Sequence, residues 1–106
     1  MPAGEEDTAR AFYVTVLGLT EQPKPPNLAK RGGCWFIAGD LRLHVGVEAD
    51  FRPARKAHVA FRVEHLAALV RALRTSGATV TEETATQVYV DDPFGSRIEL
   101  VERLTV

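Results

Sequence analysis

Apolar and polar residues alternate along three stretches of the chain, which are residues 41–47, 57–63 and 97–102. Alternation with a period of two is typical of a β-strand that buries one face. The other face of each stretch carries one side chain of a type that binds metals, namely His44, His58 and Glu99. The pattern therefore predicts three strands that each present one such side chain away from the core.

Apolar residues at helical spacing predict two helices. The first has Asp7 or Thr8 as its cap and ends at Gly18, and the second ends at Gly77. Four further strands are predicted, at residues 19–24, 34–38, 79–83 and 87–91. The sequence Asp-Pro-Phe-Gly at 92–95 is typical of a type I turn, so the last two strands are expected to form a hairpin.

The order of these elements is α-β-β-β followed by β-α-β-β-β. The chain is therefore interpreted as one α+β domain, residues 1–106, built from two related halves, 1–50 and 56–106, the first of which lacks an opening strand. A ferredoxin-like module is the alternative fold. It requires the order β-α-β-β-α-β and leaves the long run of strands between the two helices unexplained.

Aligning the last strands of the two halves makes His44 equivalent to Glu99 and brings Phe36 onto Tyr89. The residue equivalent to His58 would then precede the first residue of the chain. If the strands keep this parity, both aromatic side chains lie on the same face as the metal-binding types.

Composition restricts the partners and the compartment. The chain has 106 residues, with 13 Lys and Arg against 14 Asp and Glu, and the resulting net charge of −1 favours neither nucleic acid nor an anionic membrane as a partner. Cys34, the one cysteine, cannot form an internal disulfide and lies in an apolar strand pattern, which is typical of a reducing cytoplasm. No stretch reads as a signal peptide or a membrane span, so we expect a cytoplasmic protein.

Three segments carry a family resemblance. They are Ala-Phe-Tyr at 11–13 with Leu-Gly-Leu at 17–19, Lys-Ala-His-Val-Ala-Phe at 56–61, and Val-Asp-Asp-Pro-Phe-Gly-Ser-Arg-Ile-Glu-Leu at 90–100. Together they resemble the vicinal oxygen chelate superfamily, which contains glyoxalase I, bleomycin-resistance proteins, fosfomycin-resistance enzymes and extradiol dioxygenases. The resemblance implies paired βαβββ modules that form a curled mixed sheet, with helices on its outer face.

The same resemblance implies a metal site, because ligands in this superfamily come from the first and last strands of each module. His44, His58 and Glu99 would bind a divalent ion such as Zn, Ni, Mn or Fe, and Glu99 would act as a ligand or as the catalytic base. Phe36 and Tyr89 would line the cavity and contact a substrate.

Two functions are compatible with this reading. One is a metal-dependent lyase, isomerase, transferase or dioxygenase acting on a small vicinally oxygenated or electrophilic molecule. The other is a metal-free protein that sequesters a drug or another small molecule, as in the bleomycin-resistance branch, and a third possibility is a stable fold without activity. Because the absent opening strand would expose unpaired backbone groups, we expect a homodimer, with edge pairing or with exchange of modules between subunits.

Overall fold

A computed structural model describes residues 1–103, which fall into two compact units. The first unit is Met1–Arg52, and the second begins at Pro53. The strands form an antiparallel sheet of three strands and a mixed sheet of four. The predicted α+β class is confirmed.

The first unit packs a helical segment against the three-stranded sheet. Its elements are α1 (Glu6–Arg10), a π-helical continuation (Ala11–Val16), β1 (Thr20–Gln22), α2 (Pro26–Ala29), β2 (Cys34–Ala38) and β3 (Leu41–Val45). β2 lies between β1 and β3. Its buried core includes Ala9, Phe12, Tyr13, Cys34 and Phe36.

The helix boundaries of this unit differ from those predicted. α1 begins at Glu6, and neither Asp7 nor Thr8 caps it with a side-chain hydrogen bond. α2 was not predicted, and it begins at Pro26, because a proline ring fixes φ near the helical value and lacks the N–H that the first turn leaves unpaired. The proline-rich stretch that follows β1 therefore starts a short helix.

The chain beyond β3 is held by the first residue instead of by β2. The ammonium group of Met1 donates to the carbonyl oxygen of Gly46 at 2.7 Å, and the N–H of Glu48 donates to the Met1 carbonyl at 3.1 Å. The last pair between β2 and β3 is Cys34 with Val45. β3 therefore ends two residues before the alternating pattern does.

The second unit has the predicted β-α-β-β-β order. Its elements are β4 (Val59–Val63), α3 (Leu66–Thr75), β5 (Val80–Thr81), β6 (Gln87–Asp91) and β7 (Arg97–Glu102). The sheet order is β4-β7-β6-β5, in which β4 and β7 are parallel and the other pairs are antiparallel. Within residues 1–103, no helix is long and apolar enough to cross a membrane.

One face of this sheet is covered by α3, and the other carries polar residues. The helix buries Leu66, Val70 and Leu73, and the sheet buries Val88, Val90, Ile98 and Leu100. Because successive side chains of a strand alternate between faces, the intervening residues of β6 and β7 point away from the helix. That second face is where the candidate site lies.

The hairpin between β6 and β7 is confirmed as a tight turn. The N–H of Gly95 donates to the carbonyl of Asp92 at 3.0 Å, which closes the turn. The Asp92 side chain is buried, and its Oδ1 accepts hydrogen bonds from the N–H groups of Phe94 and Ser96 at 2.9 and 2.8 Å. Asp92 therefore fixes the start of β7, the strand that carries Glu99.

Replacing Asp92 with alanine should destabilise the fold by about 1–3 kcal/mol, because two partly buried backbone donors lose their acceptor. Asp92→Asn is the matched control, since the amide retains an oxygen at the Oδ1 position, and it should cost clearly less. Urea denaturation followed by circular dichroism measures both. Equal losses of unfolding free energy in the two variants would show that the Oδ1 acceptor of Asp92 does not stabilise the turn.

Candidate functional site

Strands β6 and β7 and the residue before β4 bring four polar or aromatic side chains together. Tyr89 and Glu99 are cross-strand partners, and Ala60 of β4 pairs with Glu99 from the other side. His58 lies two residues before Ala60, so it shares the face of Glu99 and reaches it diagonally. Gln87 lies two residues before Tyr89 and completes the group.

The imidazole of His58 contacts an oxygen atom through each ring nitrogen. Nδ1 lies 2.7 Å from the carbonyl oxygen of Lys56, and Nε2 lies 3.0 Å from Oε1 of Glu99. The second carboxylate oxygen of Glu99 accepts a hydrogen bond of 2.6 Å from the Gln87 amide. The side chains of His58 and Glu99 are 26% and 18% exposed, so a small molecule or ion can reach this pair from solvent.

The Lys56 carbonyl is an acceptor only, so Nδ1 donates to it, and a protonated ring can also donate from Nε2 to an ionised Glu99. Both contacts therefore favour the protonated form of the imidazole. The pKa of His58 is raised, first by the Lys56 carbonyl and then by Glu99, against opposing contributions from burial and from Arg97.

A histidine with a raised pKa favours folding at low pH. This stabilisation of the folded state is fully present below the pKa of an unfolded histidine, near 6.5, and is lost as the pH rises through the pKa of His58 in the folded protein.

We expect Glu99→Gln to lower the pKa of His58 without removing the whole shift, because the Lys56 carbonyl remains. NMR titration of the ring C–H signals measures this, with Glu83→Gln as a control of equal charge change, since Glu83 pairs with Arg74. An unchanged pKa in Glu99→Gln would contradict the ion pair.

Tyr89 and Arg97 border the pair. The Tyr89 ring meets the His58 ring edge-on, with centroids 5.2 Å apart. The guanidinium of Arg97 stacks on the Tyr89 ring at 3.8 Å and forms an ion pair of 3.2 Å with Glu82. Tyr89 thus lies beside the polar pair as predicted by strand parity, and its predicted contact with a substrate stays a prediction.

In the first unit, the strand register corrects the predicted position of Phe36. Phe36 pairs with Leu43, is fully buried and stacks on Tyr13 at 5.2 Å, so it belongs to the core face. His44 pairs instead with Trp35, and their rings stack in parallel with centroids 4.2 Å apart. A shift of one residue moves a side chain to the opposite face of a strand.

Trp35 is therefore the aromatic residue that the sequence alignment of the halves missed. Counting back from the two-residue Gly39-Asp40 turn would have identified it, because cross-strand partners lie at equal distances from a tight turn. The role of His44 as a metal ligand stays a prediction. Its ring face is covered by Trp35 within the first unit.

The His58–Glu99 pair is compatible with two ligands of one divalent ion. Adjacent ligands about 2.0–2.2 Å from a metal lie roughly 2.8–3.6 Å apart, which includes the observed 3.0 Å. The Nδ1 contact with Lys56 and the Gln87 contact are the outer hydrogen bonds that orient histidine and carboxylate ligands. In residues 1–103, however, no group of three His, Cys, Asp or Glu side chains is placed to hold an ion.

Comparison with known proteins agrees with the resemblance seen in the sequence. The sequence pattern of the glyoxalase-like domain matches residues 3–101. A glyoxalase family protein from Bacillus anthracis has a similar structure, with a TM-score of 0.89, 44% identity and coverage of 98% of this chain and 88% of that one. No protein of curated function matches the sequence significantly.

More distant structures share the fold and carry different names. A lactoylglutathione lyase from Agrobacterium tumefaciens is 22% identical, with a TM-score of 0.67 and coverage of 96% of this chain and 88% of that one. TnmS3, an antibiotic binding protein from Streptomyces sp. CB03234, is 21% identical, with a TM-score of 0.72 and coverage of 98% and 91%. The chain therefore belongs to the glyoxalase-like domain family.

Proposed function

We propose that this protein is a metal-dependent enzyme that acts on a small molecule with two adjacent oxygens or an electrophilic centre. The observation that carries the proposal is the His58–Glu99 pair, in which an imidazole and a carboxylate converge on a partly exposed face at ligand spacing. The proposed ion is Zn, Ni, Mn or Fe, held by His58 and Glu99, with His44 as the predicted third ligand.

The surrounding contacts support this role. Because Nδ1 donates to the Lys56 carbonyl, loss of one proton leaves Nε2 of His58 with a free lone pair aimed at the site. Gln87 holds one oxygen of Glu99, so the other is directed to the same point. Ion binding would therefore replace the shared proton of the pair without requiring a new arrangement of the strands.

The chemistry follows from these residues. A bound divalent ion would polarise a substrate oxygen and stabilise negative charge that develops on it. Oε1 of Glu99, the oxygen that Gln87 does not hold, would either bind the ion or accept a proton from the substrate as a general base. Tyr89 supplies an apolar wall beside His58, which limits water at the reacting atoms.

A metal-free binding protein is the second candidate. It is favoured by the fact that His58 and Glu99 satisfy each other without an ion and that residues 1–103 hold no three-residue ligand group. Tyr89 with Arg97 offers a stacking surface for a flat ligand.

Dependence on chelator separates these candidates. Thermal unfolding should be recorded with a panel of α-hydroxyketones, catechols and epoxides, before and after treatment with EDTA. The enzyme proposal predicts that the protein retains a divalent ion on purification and that compounds with adjacent oxygens raise Tm only while the ion is present. Ligand stabilisation that persists in EDTA would favour the binding protein. His44→Ala should lose the ion if this residue is the third ligand.

We also propose that the protein is a cytoplasmic homodimer, formed by edge pairing or by exchange of modules between subunits. Among the described residues, β3 and β4 are outer strands of their sheets, and Val59 of β4 is 47% exposed. Outer strands with unpaired backbone groups readily pair with another chain. Light scattering should give twice the mass of one chain, and a monomer at micromolar concentration would contradict the dimer.

A further inference from the structure

We infer that Arg97 binds a carboxylate group of the substrate, in exchange for the side chain of Glu82. This inference rests on the proposed function, because it takes the face that carries His58 and Glu99 as the substrate site. It adds a substrate class, which is a small carboxylic acid whose reacting oxygens lie near Glu99.

Arg97 is in position to reach the same molecule as Glu99. The two residues lie two apart on β7, so their side chains share a face and their Cα atoms are about 7 Å apart. Stacking on Tyr89 at 3.8 Å fixes the plane of the guanidinium, and Tyr89 also touches His58. A molecule bound at the polar pair therefore has a cation on one side of it.

Within residues 1–103, most donors of this guanidinium have no partner. Arginine has five N–H donors, and the structure gives Arg97 one hydrogen bond among the described residues, from Nη2 to Oε2 of Glu82 at 3.2 Å. Asp91, the cross-strand partner of Arg97, pairs instead with Arg55 at 3.5 Å. Arg97 is thus a planar, oriented cation with capacity for a bidentate carboxylate.

Glu82 is a partner that a ligand can replace. Its side chain is 66% exposed, whereas that of Arg97 is 26% exposed. An ion pair with one strongly exposed member contributes little net stability, because water competes for both groups. Glu82 also has a φ of +51°, a left-handed conformation that is uncommon for a residue other than glycine. The chain thus places a carboxylate on Arg97 at some backbone cost, and a substrate carboxylate would form the same contact.

The test uses benzoate as the probe and benzamide as its uncharged match. The 15N-labelled protein is stripped of metal with EDTA, dialysed into chelator-free buffer and titrated with each compound. The Nε–Hε signal of Arg97, assigned by its absence in Arg97→Gln, is followed by NMR. Glu82→Gln removes the competing carboxylate. Glu83→Gln is the control, because it makes the same change of charge one residue away, in an ion pair with Arg74.

We expect benzoate, and not benzamide, to shift the Arg97 signal. Glu82→Gln should bind benzoate about two- to fivefold more tightly, which is the change that removal of a typical exposed ion pair allows. Glu83→Gln should bind as the unmodified protein does, and Arg97→Gln should not bind. An unshifted Arg97 signal, an equal shift with benzamide, or equal effects of Glu82→Gln and Glu83→Gln would overturn the inference. Since metal is removed before the titration, none of these results depends on whether the purified protein holds a metal.

Discussion

Replacing Glu99 with glutamine is expected to lower the affinity for a divalent ion by more than about 100-fold. Loss of an outer hydrogen-bond partner of a metal ligand alone costs about 10–100-fold, and this variant removes the charge of the ligand itself. Glutamine has nearly the same shape as glutamate and keeps an oxygen, so the loss would report on the carboxylate charge and not on packing.

Titration calorimetry of the chelator-treated protein with Zn²⁺, Ni²⁺ and Mn²⁺ measures this affinity. It should be done at a pH above the folded pKa of His58, because the ion must displace the proton that the raised pKa favours. Gln87→Ala should give an intermediate loss, since it removes only the contact that orients Glu99. Glu83→Gln, remote from the pair, should bind like the unmodified protein. If Glu99→Gln also binds like the unmodified protein, the carboxylate is not a ligand.

Gly33→Ala is expected to destabilise the first unit by roughly 2–5 kcal/mol. Gly33 has a φ of +81°, and a Cβ at this position would overlap the carbonyl oxygen of Val45. Gly33 directly precedes β2, and Val45 is the last residue of β3. The overlap would therefore separate the two strands that stack Trp35 on His44.

Gly18→Ala is the matched control for this substitution. Gly18 has nearly the same φ, +83°, but a Cβ there would meet nothing within 4 Å. It should therefore cost only the conformational penalty, about 1–2 kcal/mol. Urea denaturation measures the free energy of unfolding of both variants. The difference between them is the cost of the overlap with the Val45 carbonyl. Equal losses would show that β2 and β3 tolerate a methyl group at this point.

Strand parity predicted the faces that carry His58 and Glu99, and the family resemblance implied that the two residues would meet. His58 and Glu99 lie opposite the apolar residues of their own strands, and the Asp-Pro-Phe-Gly turn sets where β7 begins. The contacts that orient the pair could not be predicted in this way. The Lys56 carbonyl reaches His58 because of the backbone conformation before β4. The Gln87 amide reaches Glu99 because of the register between β6 and β7.

The alignment of the two halves gave the wrong partner for His44. The alignment placed Phe36, eight residues before His44, on Tyr89, which is ten residues before Glu99. The observed partner of His44 is Trp35, nine residues before it. Hydrophobicity does not distinguish Trp35 from Phe36, so only the hydrogen-bonded register decides which one is buried. The π-helical turn at Ala11–Val16 was likewise invisible, since its apolar spacing is that of an ordinary helix.

The most direct test of the metal site is an anomalous difference map from a crystal soaked in Zn²⁺. We predict one strong peak about 2.0–2.2 Å from both Nε2 of His58 and an oxygen of Glu99. A His58–Glu99 pair that keeps its direct hydrogen bond in the soaked crystal, with zinc bound elsewhere or not at all, would contradict it.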